Sequence, residues 1–204
     1  MFRDRQDAAN KLAKALGHYR DEHPLVLAIP RGAVPMGKTI ADALGGDLDV
    51  VLVRKLRAPG NPEFAIGSVD ETGWTYLSGY AEQLSKEYLE HEKNYQLSVM
   101  RERRASYTPI RAPIDPKGRT VIVIDDGLAT GSTMIAALHA LRAKHPKKLI
   151  CAVPVAPADT LEKISPYADE VVCLETPDIF YAVGQFYLSF DQVEDEDVIE
   201  TLKG

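Results

Sequence analysis

Residues 121–133 read Val-Ile-Val-Ile-Asp-Asp-Gly-Leu-Ala-Thr-Gly-Ser-Thr. Val121–Ile124 are four β-branched residues in a row, the pattern of a strand covered on both faces of a parallel sheet. Asp125 and Asp126 stand where that strand ends. A loop of small and hydroxyl-bearing residues follows, and the apolar spacing then predicts an amphipathic helix over 134–144. Strand, loop and helix in that order place an anion site at the helix N-terminus. The backbone N–H groups of Leu128, Ala129, Thr130, Gly131, Ser132 and Thr133 suit a phosphate monoester, as do the three hydroxyls among them. Gly127 and Gly131 let the backbone curl inward without a Cβ in the way. The paired carboxylates suit a sugar diol, or a metal ion held through water. A sugar carrying a 5-phosphate satisfies both halves.

The plainer alternative is a polar strand exit followed by an ordinary helix cap, since Ser and Thr often cap helices. That alternative gives no reason for two mutually repelling carboxylates at the end of a buried strand. The run is not a P-loop, because no Lys follows Gly131 and the two glycines lie too close together. A dinucleotide fingerprint would put glycine where Asp125 stands.

Four apolar residues, two acids and a loop ending Thr-Gly-Ser-Thr resemble the binding motif for 5-phosphoribosyl 1-pyrophosphate (PRPP) of the type I phosphoribosyltransferases. The resemblance extends from Leu25 to about Asp191, with a departure between about 77 and 118. It implies a Rossmann-like α/β fold, a parallel sheet with helices on both faces plus a small hood or lid. It also implies PRPP as substrate and Mg²⁺ as cofactor, held through PRPP with Asp125 and Asp126.

The 204 residues suffice for one α/β domain with a sizeable core, here read as a single unit over 1–204. Within it we expect a lid at about 56–76, a helical insertion at about 79–118 and a C-terminal hood segment at about 176–204. No apolar run is long enough to span a membrane, and Met1–Arg20 reads as a charged amphipathic helix rather than a signal peptide. A cytoplasmic location and no membrane partner are expected. Net charge is −6, from 24 basic and 30 acidic residues, which argues against a nucleic-acid partner. Cys151 and Cys173 lie in apolar strand-like runs and read as free buried thiols.

Strand-like and helix-like segments alternate, as in a parallel sheet with right-handed crossovers. Strands are expected at 25–29, 49–54, 149–154 and 170–174, besides the signature strand. Two short β segments are expected at 64–69 and 74–77. A long helix is expected over 79–106, exposed or facing a second subunit, which makes a homodimer plausible.

Three further pieces gather around the motif. Arg31 and Gly32 follow the first strand and read as a pyrophosphate loop, where the family often has a non-proline cis peptide. Arg54 and Lys55 close the second strand, two cations that suit an anion at the same edge as the aspartates. Within the lid, Asn61 and Glu63 are the most polar candidates, Glu63 for contact with the base, a metal or Arg57. In the tail, Phe180 or Tyr181 is expected to stack on the base. Ala129 stands where 6-oxopurine enzymes usually carry Asp, and the Ala-Thr-Gly run is closer to adenine enzymes, whereas the tail resembles the 6-oxopurine branch, so the resemblance leaves the base open.

The resulting expectation is transfer of a 5-phosphoribosyl group from PRPP to a nitrogenous base with release of pyrophosphate. Asp125, Asp126, Arg31 and Lys55 carry the chemistry in this reading. A non-catalytic PRPP- or nucleotide-sensing protein using the same pocket is the alternative. A phosphohydrolase with Asp125 as nucleophile is a third reading, disfavoured by the phosphate cradle beside it.

Overall fold

The computed structural model describes residues 1–204. Its main sheet is built from β1 (Leu25–Ala28), β2 (Asp47–Val50), β6 (Thr120–Ile124), β7 (Lys148–Val155) and β8 (Glu170–Glu175). These five strands run in the order β2-β1-β6-β7-β8, all neighbours parallel. The signature strand β6 is central, with Val121–Ile124 wholly buried between β1 and β7. Helices cover both faces. Helices α1 (Arg5–Ala15), α2 (Ala33–Leu44) and α6 (Asp195–Lys203) share a core with Val26, Ala28, Ile122, Ile124 and Ile150. The alternate residues Leu25, Leu27, Val121, Val123 and Cys151 point into a second core with α4 (Ser132–Arg142). A period of two along each strand thus feeds two cores, so the strands read as continuous apolar runs.

A second sheet, antiparallel, is built from β3 (Val53–Ala58), β4 (Asn61–Asp70) and β5 (Thr75–Leu77). It covers the segment read as a lid. The stretch read as one strand over 49–54 is divided between the two sheets. β2 stops at Val50, the Val51 N–H still reaches the Ala28 carbonyl at 3.1 Å, and Val53 then pairs with Asp70 in the other sheet. An unbroken apolar run cannot reveal that its two ends pair with different partners. The hairpin turns at Pro59-Gly60, with Gly60 at φ 71°.

The long helical stretch also divides. A 3-10 turn covers Gly79–Gln83, Leu84 is extended, and Ser85 caps α3 (Lys86–Tyr107) by accepting the Tyr88 N–H at 3.1 Å. Glu92, Gln96, Met100 and Tyr107 form its buried stripe, packed on the antiparallel sheet. A stripe that includes Glu and Gln has little apolar contrast, which is why the helix reads as exposed in sequence. α5 (Ala158–Ile164) links β7 and β8. No helix is long and apolar enough to cross a membrane. Cys151 and Cys173 are both free, the first buried and the second partly so.

Candidate active site

Strand ends, the loop before α4 and the antiparallel sheet meet around a cavity of about 510 Å³. Parallel strands point their C-terminal ends at one edge, and ligands in such sheets bind there. Its lining includes Arg31, Gly32, Arg54, Lys55, Asp125, Asp126, Gly127–Gly131 and Thr133. Residues from 31 to 133 are therefore brought to one wall.

Asp125 and Asp126 leave β6 side by side, and the Asp126 N–H donates to Asp125 Oδ1 at 2.8 Å. Burial and the neighbouring Asp126 carboxylate push the Asp125 carboxyl well above its ordinary range. Burial raises Asp126 as well, and the Arg5 guanidinium opposes that rise. Two adjacent, partly buried carboxylates favour a bound cation or hydroxyl donors over two free negative charges.

The loop then turns into α4. Gly131 adopts φ 80° as the residue before α4, and a Cβ there would meet Thr160 Cγ2 at 2.8 Å. The Thr160 hydroxyl donates to the Ala129 carbonyl at 2.6 Å, pinning the loop from α5. The N–H groups of Ala129, Thr130, Gly131 and Thr133 have no backbone partner, as expected at a helix start. Leu128 differs: its N–H is committed to the Val155 carbonyl at 3.0 Å, so it ties the loop to β7. Ser132 is buried, with its N–H 3.5 Å from Thr130 Oγ1, while Thr130 is exposed.

The cations arrive from two elements, the loop after β1 and strand β3. Arg31 follows a cis peptide between Pro30 and Arg31, and its Nη1 lies 3.7 Å from Glu194 and 3.8 Å from Asp195 at the start of α6. Arg54 and Lys55 sit on β3, in the antiparallel sheet, rather than at the end of a parallel strand. Arg54 Nε donates to Gln96 Oε1 at 2.9 Å, and Gln96 Nε2 donates to Glu92 Oε1 at 3.0 Å. Glu92 in turn receives Arg57 Nη2 at 2.9 Å and Nε at 3.0 Å. Arg54 has no carboxylate partner, and burial together with Arg103, Arg57 and Arg31 lowers its pKa. That surplus of positive charge is what an anionic ligand would neutralise.

Asn61 and Glu63 lie at the exposed start of β4, outside the cavity lining, whereas Pro62 between them reaches it. Arg57 is held by Glu92 of α3, not by Glu63. Phe180 packs against Phe186 with ring centroids 5.1 Å apart, and Tyr181 is 85 % exposed. Neither lines the cavity; the tail residues that do are Val183 and Phe190. A Cβ on Gly127 would come within 2.6 Å of Val183 Cγ1, so the tail is pressed against the loop at that glycine.

Sequence reasoning missed Arg5, Gln96 and Arg103, which also line the cavity. Each sits on a helix far from the motif in sequence, and only Gln96 has a local signal, as a member of the α3 stripe.

A family model described as the phosphoribosyl transferase domain matches residues 4–191. The chain belongs to the phosphoribosyltransferase family. Two curated proteins from two strains of Mycobacterium tuberculosis, each named "putative phosphoribosyl transferase", are 38% identical to this phosphoribosyltransferase-family chain over 205 residues. The alignment covers 99% of this chain and 46% of each relative, so the chain spans under half of their length. A crystal structure of the Thermus thermophilus protein TT1426 superposes with a TM-score of 0.83 at 46% identity. That likeness covers 99% of this chain and 97% of the other. The parallel sheet with helices on both faces and its added small sheet are thus a phosphoribosyltransferase-family fold.

Proposed function

We propose that this phosphoribosyltransferase-family chain moves the 5-phosphoribosyl group of PRPP onto a nitrogenous base, purine-like in character, and releases pyrophosphate. One observation carries the reading. A partly buried carboxylate pair, a loop whose Ala129, Thr130, Gly131 and Thr133 N–H groups have no backbone partner, and the cations Arg31, Arg54 and Lys55 line one cavity of about 510 Å³. Those three features match the ribose diol, the 5-phosphate and the pyrophosphate of one molecule.

In this reading the loop 127–133 anchors the 5-phosphate, and that remote binding energy orients C1 of the ribose. Asp125 and Asp126 receive the ribose hydroxyls. They also stabilise positive charge as the bond from C1 to the pyrophosphate oxygen breaks and the new C1–N bond forms. The electron pair of the broken bond leaves with pyrophosphate, whose charge Arg31, Arg54 and Lys55 offset. The incoming nitrogen gives up its proton to water or to the departing pyrophosphate.

Two carboxylates fall short of an all-protein cage, and no group of three or more His, Cys, Asp or Glu clusters here. That donor set fits Mg²⁺ arriving with a phosphate-bearing ligand, and Asp125 and Asp126 would help to hold it, directly or through water. When bound, it would neutralise charge on the leaving pyrophosphate. The same reading has a cytoplasmic homodimer. The exposed pair of Phe64 on β4 and Tyr80 in the following 3-10 turn, with ring centroids 5.3 Å apart, supports a contact between copies.

The test is Mg²⁺-dependent pyrophosphate release from PRPP against a panel of purine and pyrimidine bases. Release with one base identifies the acceptor. The double variant Asp125→Asn with Asp126→Asn should lose transfer while keeping its fold, and normal turnover in it would sink the assignment. PRPP binding without release for any base would favour the sensing alternative, and phosphate release from simple esters would favour hydrolysis.

A further inference from the structure

Arg5 opens helix α1, yet its guanidinium lies in the cavity. Nε and Nη2 donate to the same oxygen, Asp126 Oδ2, at 3.0 and 2.9 Å. Nη1 donates to the carbonyl of Asp191, and the guanidinium carbon stands 4.0 Å from the centroid of the Phe190 ring. The side chains of Arg5 and Asp126 are only 15% and 16% exposed. Every nitrogen of the guanidinium is therefore engaged, two by Asp126 and one by the tail, with the Phe190 ring against its face.

Asp126 is fixed a second time through its backbone. The Tyr187 hydroxyl donates to the Asp126 carbonyl at 2.6 Å. Tyr187 is itself held by the N-terminal residues: Phe2 N–H donates to Phe186 O at 2.8 Å, and Leu188 N–H donates to Phe2 O at 2.9 Å. The N-terminus and the tail thus form one clasp, and both of its holds on the site end at Asp126. Gly32 completes the fit, since a Cβ there would stand 2.9 Å from Arg5 Nη2 and would collide with the Asp126 carboxylate.

A carboxylate that can rotate offers either oxygen to a ligand. One whose Oδ2 already receives two N–H donors offers Oδ1 in a set direction. We propose that Arg5 is a positioning residue of the ribosyl subsite, orienting Asp126 so that its free oxygen recognises a ribose hydroxyl. The inference rests on the ribosyl reading above and adds a residue from the opposite end of the chain. Lysine could supply the charge but neither the two directed donors on one oxygen nor the guanidinium's contact over the Phe190 ring.

The experiment compares ribose 5-phosphate with 2-deoxyribose 5-phosphate by calorimetry, in wild type, Arg5→Met and Arg5→Lys, with melting temperatures recorded. Wild type is expected to prefer the ribose form. Arg5→Met should weaken ribose 5-phosphate by about 10- to 100-fold, the scale of a hydrogen bond to a charged group. It should change the deoxy sugar about threefold or less, so that the preference collapses toward one. Arg5→Lys should recover part of the preference. A general loss of structure would weaken both sugars alike, because both share the 5-phosphate. Equal weakening, an unchanged preference in Arg5→Met, or no preference in wild type overturns the proposal while leaving the ribosyl-transfer reading standing. Wild type that binds neither sugar phosphate nor PRPP defeats that reading itself, and this inference with it. If Arg5→Met does not fold, Phe190→Leu probes the same link, since it removes the stack and leaves the ion pair. A preference that stays at the wild-type value in that variant overturns the proposal too.

Discussion

The Ser68 hydroxyl donates to the carbonyl oxygen of Ser132 across 2.6 Å, with both residues buried. Ser68 belongs to the antiparallel sheet and Ser132 is the first residue of α4. One hydrogen bond therefore fastens the added sheet, which carries Arg54 and Lys55, to the helix that follows the 127–131 loop. Trp74 of the same sheet region stacks on His139 of α4, with ring centroids 3.7 Å apart and planes 8° from parallel. The relative position of cations and loop is set by this contact as well as by the main sheet. Ser68→Ala should lower stability by about 1 kcal/mol, a typical net value for such a bond. It should also weaken PRPP binding several-fold by loosening that spacing. Urea denaturation and calorimetry check the two parts separately.

Gly32 has φ −57°, a conformation that any residue adopts, so its glycine is required by space alone. Gly32→Ala would push a methyl group into the contact between Arg5 and Asp126. Overpacking of this kind costs about 1–3 kcal/mol. Ribose 5-phosphate affinity should fall by about tenfold or more, because the displaced atoms are those of the acid pair. Binding calorimetry alongside a thermal melt checks it. Wild-type affinity in a folded Gly32→Ala protein would show that the Asp126 carboxylate takes no part in binding.

Glu92 is 3% exposed and receives three side-chain N–H groups, two from Arg57 and one from Gln96. Glu92→Leu leaves those donors without their acceptor. Removing one partner of a fully buried pair costs about 3–5 kcal/mol. Arg57 is 38% exposed and can turn to water, so about 2 kcal/mol is the expected loss. Gln96 would no longer be held against Arg54, and pyrophosphate affinity should drop with it. Glu92→Gln keeps an acceptor and should lose less on both counts. Denaturation curves and pyrophosphate titrations of the two variants give the ranking.

Glu170 accepts the Tyr19 hydroxyl and, at 3.2 Å, Lys148 Nζ. The Tyr19 hydrogen bond and then Lys148 hold its carboxyl below the usual glutamate range. The folded value lies below the unfolded one, so the stabilisation is complete above the unfolded pKa and is lost as pH falls through the folded pKa. Glu170→Gln should therefore be about 1 kcal/mol less stable than wild type at pH 7. That gap should close below about pH 4. Urea denaturation at both pH values measures it, and a gap that persists in acid would contradict the assignment.

Much of the site was legible because its chemistry is local. A four-residue β-branched run, two acids and a small-residue loop are contiguous, so hydrogen-bonding demand and helix-start geometry apply whatever the rest of the chain does. The same holds for the parallel sheet, since strand and helix periods alternate along most of the chain. Arg54 and Lys55 were legible as cations near the edge, but their strand was not, because β2 and β3 join without a break in apolar character. The tail shows the opposite failure. Phe180 and Tyr181 stand in the segment whose composition draws attention, yet Val183 and Phe190 are the ones that reach the cavity. Aromatic content marks a segment that packs, not which ring faces the ligand.

By itself the sequence determined the strand, loop and helix that carry the carboxylate pair and the small-residue loop, because each depends on residues within one or two turns of chain. Only the tertiary structure decided which distant groups complete them. Arg5 lies 121 positions from Asp126, and nothing in the period or composition of α1 marks it out. That contact exists because α1 packs on α2 beside the parallel sheet and the N-terminal residues are clasped to the tail. Long-range placement of a single charged side chain is fixed by the packing of whole elements, and packing is a property of the folded chain.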